Sequence, residues 1–186
     1  KLLAARSDIQ LVFLAPADKL EYYKKEFTGK NIIFDALPDV RSDRFERFFK
    51  FWESSSVHTV TSRMLLEDNF FHGDSGESPL YRALFFSAGV ICWQLGRIPL
   101  CRSLIRFSYG LFSSPEVDSL LKKWKPDLVF APSMVYPEDH ALLRSAKKTG
   151  IKTLGMMLSW DNLWSKAILR VPPDRLLVHV DLIKIL

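Results

Sequence analysis

The segment 159–166, SWDNLWSK, brings an indole, a carboxylate, a carboxamide, two hydroxyls and an amine together within eight positions. A flat aromatic ring covers the apolar face of a sugar or a nucleobase, while short polar side chains form hydrogen bonds with its polar groups. The candidate binding residues beside Asp161 are Ser159, Trp160, Asn162, Ser165 and Lys166. A structural interpretation stays open, in which Asp161 and Asn162 cap the next helix while Trp160 and Trp164 pack.

A second polar loop, 132–140, offers groups for acid–base chemistry. Ser133 and Tyr136 are candidate hydrogen-bonding groups for a substrate. Three residues could take the proton from an acceptor hydroxyl if they came within hydrogen-bond reach of it, namely Glu138, Asp139 and His140. The alternative is that 137–139 form only the first turn of a helix, where proline fits and acidic side chains complement the helix dipole.

The common cofactor and metal signatures are missing from the sequence. Neither G-x-G-x-x-G nor G-x-x-x-x-G-K-[ST] occurs, so nothing indicates a dinucleotide or a Walker-type nucleotide site. There is no H-E-x-x-H pattern, no Cys/His cluster and no G-x-S-x-G elbow, and the four histidines are dispersed. We therefore expect neither a cofactor nor a metal ion.

Short apolar segments bounded by proline, glycine or aspartate predict the strands that position these loops. The five predicted strands are Ile9–Pro16, Asn31–Leu37, Pro126–Ala131, Ile151–Leu158 and Pro173–Val180. Helices are predicted over Asp18–Phe27, Pro115–Trp124 and Glu138–Thr149. This alternation predicts an α/β fold with a doubly wound, mostly parallel sheet. In such a sheet, ligands bind beyond the carboxyl ends of the strands, where both polar loops begin.

The region Arg41–Ser114 interrupts the alternation and predicts two or three helices inserted on one side of the sheet. From Ser78 to Pro115 it contains no acidic residue and four arginines, which are Arg82, Arg97, Arg102 and Arg106. This stretch could rest on an anionic bilayer, with its apolar face inserted and its arginines on phosphates. The alternative is that its helices are core and that the arginine stems lie along them.

Length and composition are those of one globular domain. The chain has 186 residues, 48% of them hydrophobic, and a formal net charge of +5, which makes an anionic partner plausible. Cys92 and Cys101 fit reduced core residues of a cytoplasmic protein. No apolar run of about 18 residues indicates a membrane span. Both ends stop inside a pattern, at Lys1–Asp8 and at Leu182–Leu186, so we expect a fragment.

The last third of the chain resembles a known family. The strand PDLVFAPS, a helix ended by TGIKTLGM, the loop SWDNLWSKAI and the strand PDRLLVHV are similar to the amino-terminal half of bacterial GT-B-type glycosyltransferase-like proteins of surface-polysaccharide synthesis. The matching loop positions are Ser159, Trp160, Asp161, Asn162, Leu163, Ser165 and Lys166. The family has a small hydroxyl residue and a glycine where this chain has Trp164 and Ala167.

This resemblance implies a two-domain enzyme with facing Rossmann-like halves. The amino-terminal half would bind a sugar or a lipid-linked acceptor, and the carboxyl-terminal half would bind the nucleotide sugar. Residues 1–186 would then form a single acceptor-side domain with the helical insertion at 41–114. It would lack its first strand and the donor domain, and would not transfer sugar alone. The expected location is the cytoplasm, with the inner membrane face as a second possibility.

Sugar transfer requires a base for the acceptor proton and donors for the departing phosphate. Asp161 is the first candidate for the base, with His140 and Glu138 as alternatives. Ser133, Trp160, Asn162 and Lys166 are the expected binding residues, while a nucleic-acid partner is not expected, because the arginines match no recognised fold. Two other functions stay open: a non-catalytic α/β binding module, and a peripheral membrane module that uses 78–115.

Overall fold

A parallel pair of strands follows Asp8 and confirms the first predicted β-α-β unit. Strand β1, Leu11–Ala15, pairs with β2, Ile32–Ala36, so that Leu11 lies opposite Ile32 and Ala15 opposite Ala36. The structure is a computed structural model, and the residues it describes are 8–40, 44–73, 76–157 and 169–178. Between the strands, the predicted helix divides into a 3-10 turn at Ala17–Lys19 and helix α1 at Leu20–Glu26.

The second half of the chain forms a three-stranded parallel sheet in the order β3-β4-β5. The strands are β3 at Leu128–Ala131, β4 at Lys152–Met156 and β5 at Arg175–Leu177. Helix α6, Pro115–Trp124, precedes β3, and helix α7, Pro137–Lys148, connects β3 to β4. Because parallel neighbours need a crossover, α7 is the element that brings the carboxyl ends of β3 and β4 to one edge.

Helix α6 shows why the sequence predicted these boundaries well. Pro115 occupies the first turn together with Glu116 and Asp118, which suit the positive end of the helix dipole. Two lysines lie in its last turn, and Lys125 ends the helix in the left-handed conformation at φ 43°. Start and stop signals of this kind fix a helix locally, before any packing is considered.

The sequence predicted a single doubly wound sheet, whereas the structure shows, over the residues it describes, an α/β arrangement with two small parallel sheets. Within the described residues, the two parallel sheets are separate. Two hydrogen bonds connect the halves, since Lys123 Nζ and Trp124 Nε1 each donate to Asp35 Oδ2 over 2.7 Å. Strand β3 buries Val129 and Ala131, whereas Leu128 and Phe130 on its opposite face are 52% and 44% exposed. The described helices therefore cover one face of β3 and leave the other open.

The insertion contains four helices among its described residues, where two or three were expected. They are α2 at Arg44–Ser55, α3 at Val60–His72, α4 at Pro79–Leu95 and α5 at Pro99–Leu111. Thr59 separates α2 from α3 through a capping box, in which Thr59 and Ser62 exchange side-chain and backbone hydrogen bonds. Helix α4 ends at Gly96, and α5 begins at Pro99.

The core joins this insertion to the β3–β5 sheet. Helices α2 and α5 contribute Phe49 and Tyr109 to the same buried cluster as Val129 of β3 and Leu143 of α7. At the carboxyl end of α5, Lys148 Nζ donates to the carbonyl of Leu111 over 3.2 Å. The helical insertion is therefore part of the domain core rather than an appendage.

None of the described helices is by itself long and apolar enough to cross a membrane. Helices α4 and α5 satisfy the length and composition of a span only when taken together, and they meet at a bend of 111°.

Candidate functional site

A partly open hollow of about 350 Å³ lies where helix α2 meets the loop after β3. Helix α2 contributes Glu46, Arg47 and Lys50 to its lining. The end of the loop contributes Tyr136, and the first residue of α7 contributes Pro137. The volume is within the range of small-molecule sites. Because Tyr136 follows β3 by five residues, the hollow lies at the carboxyl end of the parallel sheet, where α/β folds bind ligands.

The walls of the hollow combine exposed cations with a buried carboxylate. Arg47 and Lys50 are exposed, whereas Glu46 is only 1% exposed. Tyr136 presents a half-exposed phenol and lies directly before α7. A ring beside two cations suits a ligand that has an apolar face and a negative group.

Glu46 is the centre of a buried charge network beneath this hollow. Its Oε1 lies 3.2 Å from Arg144 Nη1, and its Oε2 lies 2.9 Å from Arg170 Nη1. The hydroxyl of Tyr109 donates to both carboxylate oxygens, over 2.8 and 3.0 Å. Arg144 also donates to the hydroxyl of Ser114. Helix α5 of the insertion, helix α7 of the sheet half and the segment before β5 therefore meet on the carboxylate of Glu46.

A second carboxylate extends the network to His140. Glu53 Oε2 lies 2.8 Å from Arg170 Nε, and Glu53 Oε1 lies 3.3 Å from His140 Nε2. The ring of His140 is fully buried, and neither of its nitrogens forms a hydrogen bond with the described part of the chain. Two carboxylates thus face two guanidinium groups, which balances the buried charge.

Tyr109 is fully buried between the charged members of the network. The guanidinium groups of Arg144 and Arg170 lie 4.3 and 4.9 Å from the centre of its ring. Burial is the main cause that raises the pKa of the Tyr109 phenol, and the nearby Glu46 raises it further, against the lowering effect of the two arginines. The phenol therefore remains protonated and serves as a donor to Glu46.

Ser133, expected to bind substrate, is buried and already engaged. Its hydroxyl donates to Asp139 Oδ2 over 2.5 Å, and the backbone N–H of Met134 donates to the same oxygen over 3.0 Å. Met134 adopts a left-handed conformation at φ 54°, so the chain turns sharply here into α7. Asp139 therefore fixes the loop after β3.

The candidate bases of this loop lie in the first turn of α7, as the alternative interpretation expected. Glu138 and Asp139 are the acidic residues of that turn, and Glu138 is buried. His140 points to Glu53 and not to the hollow, of which it is no lining residue. Of the candidates in 132–140, the structure brings Tyr136 alone to the wall of the hollow.

The SWDN segment, residues 159–166, carries the remaining candidates from the sequence. Asp161 and the candidate binding residues Ser159, Trp160, Asn162, Ser165 and Lys166 all lie outside the described residues. Arg170, nine residues after Asp161, is described and belongs to the network.

Sequence reasoning missed the acidic pair Glu46 and Glu53 and its arginine partners. A signal was present, because Glu46, Phe49 and Glu53 follow one another at spacings of three and four on α2, which places them on one helix face. All three are buried. His140 and Arg144 show the same spacing on α7. Two acids on the buried face of one helix predict cationic partners elsewhere, although not which ones.

Other chemistry is scarce in the described ranges. Residues 8–40, 44–73, 76–157 and 169–178 contain no group of three or more His, Cys, Asp or Glu side chains that could hold a metal ion. Cys92 is buried and Cys101 is half-buried, and both thiols are free. Burial raises the pKa of the Cys92 thiol, which therefore stays protonated at neutral pH and is a poor nucleophile.

Comparison of the chain with protein-family models, with curated proteins and with solved structures found no match.

Proposed function

We propose that this chain is the acceptor-binding half of a GT-B-like glycosyltransferase, which transfers a sugar from a nucleotide sugar to a hydroxyl acceptor in surface-polysaccharide synthesis. The observation that carries the proposal is the hollow at the carboxyl end of β3, lined by Tyr136, Arg47 and Lys50. The SWDN resemblance and the parallel α/β arrangement support it. The nucleotide sugar would be bound by a second domain outside this chain.

The chemistry of the hollow favours an acceptor with a negative group beside the sugar. Arg47 and Lys50 would face a phosphate, and the phenol of Tyr136 would lie against a sugar ring. Glu46 cannot itself repel that phosphate strongly, because Arg144 and Arg170 neutralise its charge. A lipid-linked sugar phosphate is the acceptor class that combines these features.

The base of the proposed reaction is Asp161. His140 is fully buried against Glu53, and Glu138 is buried in the first turn of α7, so an acceptor in the hollow would not reach either group without a rearrangement. Arg170 is held by both Glu46 and Glu53, which fixes the chain shortly after the SWDN segment. Arg170 itself is thereby tied to α2, the helix that lines the hollow.

Acceptor binding tests the proposal directly by isothermal titration calorimetry with a short-chain, water-soluble prenyl diphosphate-linked sugar. We expect saturable binding by the native chain and a roughly tenfold weaker affinity for Arg47→Ala and for Tyr136→Ala, since each removes one contact of the hollow. The matched control is Tyr22→Ala on α1, which removes an exposed tyrosine far from the hollow in sequence. A flat titration of the native chain would contradict the proposal.

One observation favours a second function, that of a non-catalytic binding module. Glu46 is the acidic residue that lines the hollow, and its carboxylate is fully occupied by Tyr109, Arg144 and Arg170. A hollow without a free base binds but does not deprotonate. Saturable acceptor binding, together with no transfer when the chain is expressed with its natural flanking sequence and supplied with nucleotide sugars, would identify this module.

A further inference from the structure

Helix α5 turns an unbroken apolar stripe towards solvent. Leu100, Leu104, Phe107 and Leu111 follow one another at spacings of four, three and four residues, which places them on one helix face. Each of these side chains is between 54% and 66% exposed. Single exposed apolar residues are ordinary, but a stripe that runs the length of a helix marks a surface that is covered in function.

The arginines of α5 lie on the side opposite the stripe. An ordinary amphipathic surface helix has the reverse arrangement, with its charged side in water and its apolar side against the protein. Arg102 and Arg106 lie two positions from stripe residues, hence about 200° around the helix and roughly opposite the stripe. Arg102 is half-buried, and Arg106 Nε donates to the carbonyl of Leu169 over 2.9 Å. Tyr109 on this side is fully buried. The helix thus turns Arg102 and Tyr109 to the protein, ties the exposed Arg106 to Leu169 and turns its apolar stripe outwards.

Helix α4 repeats the arrangement. Leu80, Leu84 and Ile91 lie at spacings of four and seven residues and are between 59% and 70% exposed. The remaining stripe position, Ser87, is exposed and uncharged. Taken together, α4 and α5 have the length and composition of a membrane-crossing segment, although the bend of 111° between them prevents a straight span. Such a pair is suited to lie in the interface of a bilayer.

The charge of this region matches an anionic lipid surface. No acidic residue occurs between Ser78 and Pro115, so neither of the two helices presents a carboxylate to lipid phosphates. Arg97 is exposed in the turn between α4 and α5, next to the exposed Ile98, Pro99 and Leu100. An arginine that follows one inserted helix and precedes another lies at the depth of the headgroups.

We propose that helices α4 and α5 bind the surface of a bilayer that contains anionic phospholipids, with the stripes of the two helices inserted among the acyl chains and Arg97 at the phosphates. Of the four arginines expected at phosphates, Arg82 and Arg102 are half-buried and Arg106 bonds Leu169, so Arg97 carries this role.

A bilayer fits these stripes better than a second protein does. A protein interface forms about one hydrogen bond per 100–200 Å². The outward side of α5 offers only the hydroxyl of Ser103 beside its four apolar residues. Acyl chains require no such bonds, and an interfacial helix inserts roughly 5–10 Å, a depth that side chains of this size reach.

Vesicle flotation of the purified chain tests this proposal. We expect it to float with vesicles of equal parts phosphatidylcholine and phosphatidylglycerol, and Leu104→Ser/Phe107→Ser to bind at least about tenfold more weakly, because two apolar side chains are lost. Both residues are exposed, so circular dichroism and the melting temperature should stay unchanged. The matched control, Tyr22→Ser/Leu128→Thr, removes two exposed apolar side chains elsewhere and should float like the native chain.

The charge component is tested separately with Arg97→Gln. It should bind the mixed vesicles about fivefold more weakly, as expected for one basic residue at an anionic surface, and pure phosphatidylcholine vesicles as the native chain does. Added salt should reduce the difference in binding to the mixed vesicles between Arg97→Gln and the native chain. The proposal is overturned if the native chain floats with neither vesicle, or if the stripe variant floats as well as the native chain. It is also overturned if light scattering shows a dimer that the stripe variant loses while no flotation occurs.

Discussion

Arg170 Nη1 lies 2.9 Å from Glu46 Oε2, in a contact that joins the chain after the SWDN segment to the second helix, α2. The two residues are 124 positions apart in sequence and almost completely buried. The ion pair therefore fixes α2, and with it Arg47 and Lys50, relative to the sheet half. The position of the candidate hollow depends on this contact.

Replacing Glu46 should destabilise the fold strongly. Glu46→Gln keeps the shape of the side chain but leaves Arg144 without its countercharge and Arg170 with that of Glu53, and breaking a buried pair in this way costs roughly 3–5 kcal/mol. The measurement is the free energy of unfolding in urea. Glu21→Gln is the matched control, because Glu21 pairs with Lys24 on the surface, and it should leave the free energy of unfolding nearly unchanged. A comparable effect of the two variants would show that the network does not stabilise the fold.

The contact between Asp35 and α6 should depend on pH. Hydrogen bonds from Lys123 and then Trp124 lower the pKa of the Asp35 carboxyl below its ordinary value of 3.8. Because the folded pKa is the lower one, the stabilisation is present above the unfolded pKa and is lost as the pH falls through the folded value. Asp35→Asn should therefore destabilise the chain by about 0.5–1 kcal/mol at neutral pH and have little effect in strong acid.

Urea unfolding of both proteins across the acidic range measures this difference. Asp127→Asn serves as the control, since Asp127 is exposed and lies between α6 and β3. A gap between native chain and Asp35→Asn that stays constant down to strong acid would contradict the assignment.

The sequence predicted those elements of the structure that are specified by signals close together in the chain. The helix Pro115–Trp124 and the parallel β1–β2 pair follow from proline, charge and apolar patterns that lie within a few residues of one another. The network of Glu46, Arg144 and Arg170 joins residues about a hundred positions apart, and no local pattern specifies such partners. The insertion has four helices because Thr59 and Gly96 break it at points that the aromatic spacing did not mark.

The turn after α4 should tolerate no side chain at Gly96. A Cβ atom built there would overlap the carbonyl oxygen of Ser56, a backbone atom that cannot move aside cheaply. Gly96→Ala should destabilise the chain by roughly 1–3 kcal/mol. Gly110→Ala is the matched control, because Gly110 lies within α5 and nothing surrounds its Cβ position within 4 Å. It should stabilise the helix by about 0.5–1 kcal/mol.

Thermal unfolding of the two glycine variants should thus give shifts of opposite sign. A melting temperature for Gly96→Ala equal to that of the native chain would mean that α4 and the end of α2 do not approach as closely as the structure shows.

Substitutions at Asp161 and His140 should affect different properties, the transfer rate at Asp161 and the stability at His140. In the chain expressed with its natural flanking sequence, Asp161→Asn should reduce transfer by roughly 10²–10⁴-fold and leave the melting temperature unchanged, since a general base contributes about that factor. His140→Phe should do the reverse: it removes one partner of the buried carboxylate of Glu53, which keeps Arg170, and so lowers stability by about 1–3 kcal/mol, while the folded fraction keeps its transfer rate. Transfer rates corrected for folded protein provide the comparison. If His140→Phe instead lost transfer at unchanged stability, the histidine would be the base and Glu53 would orient it.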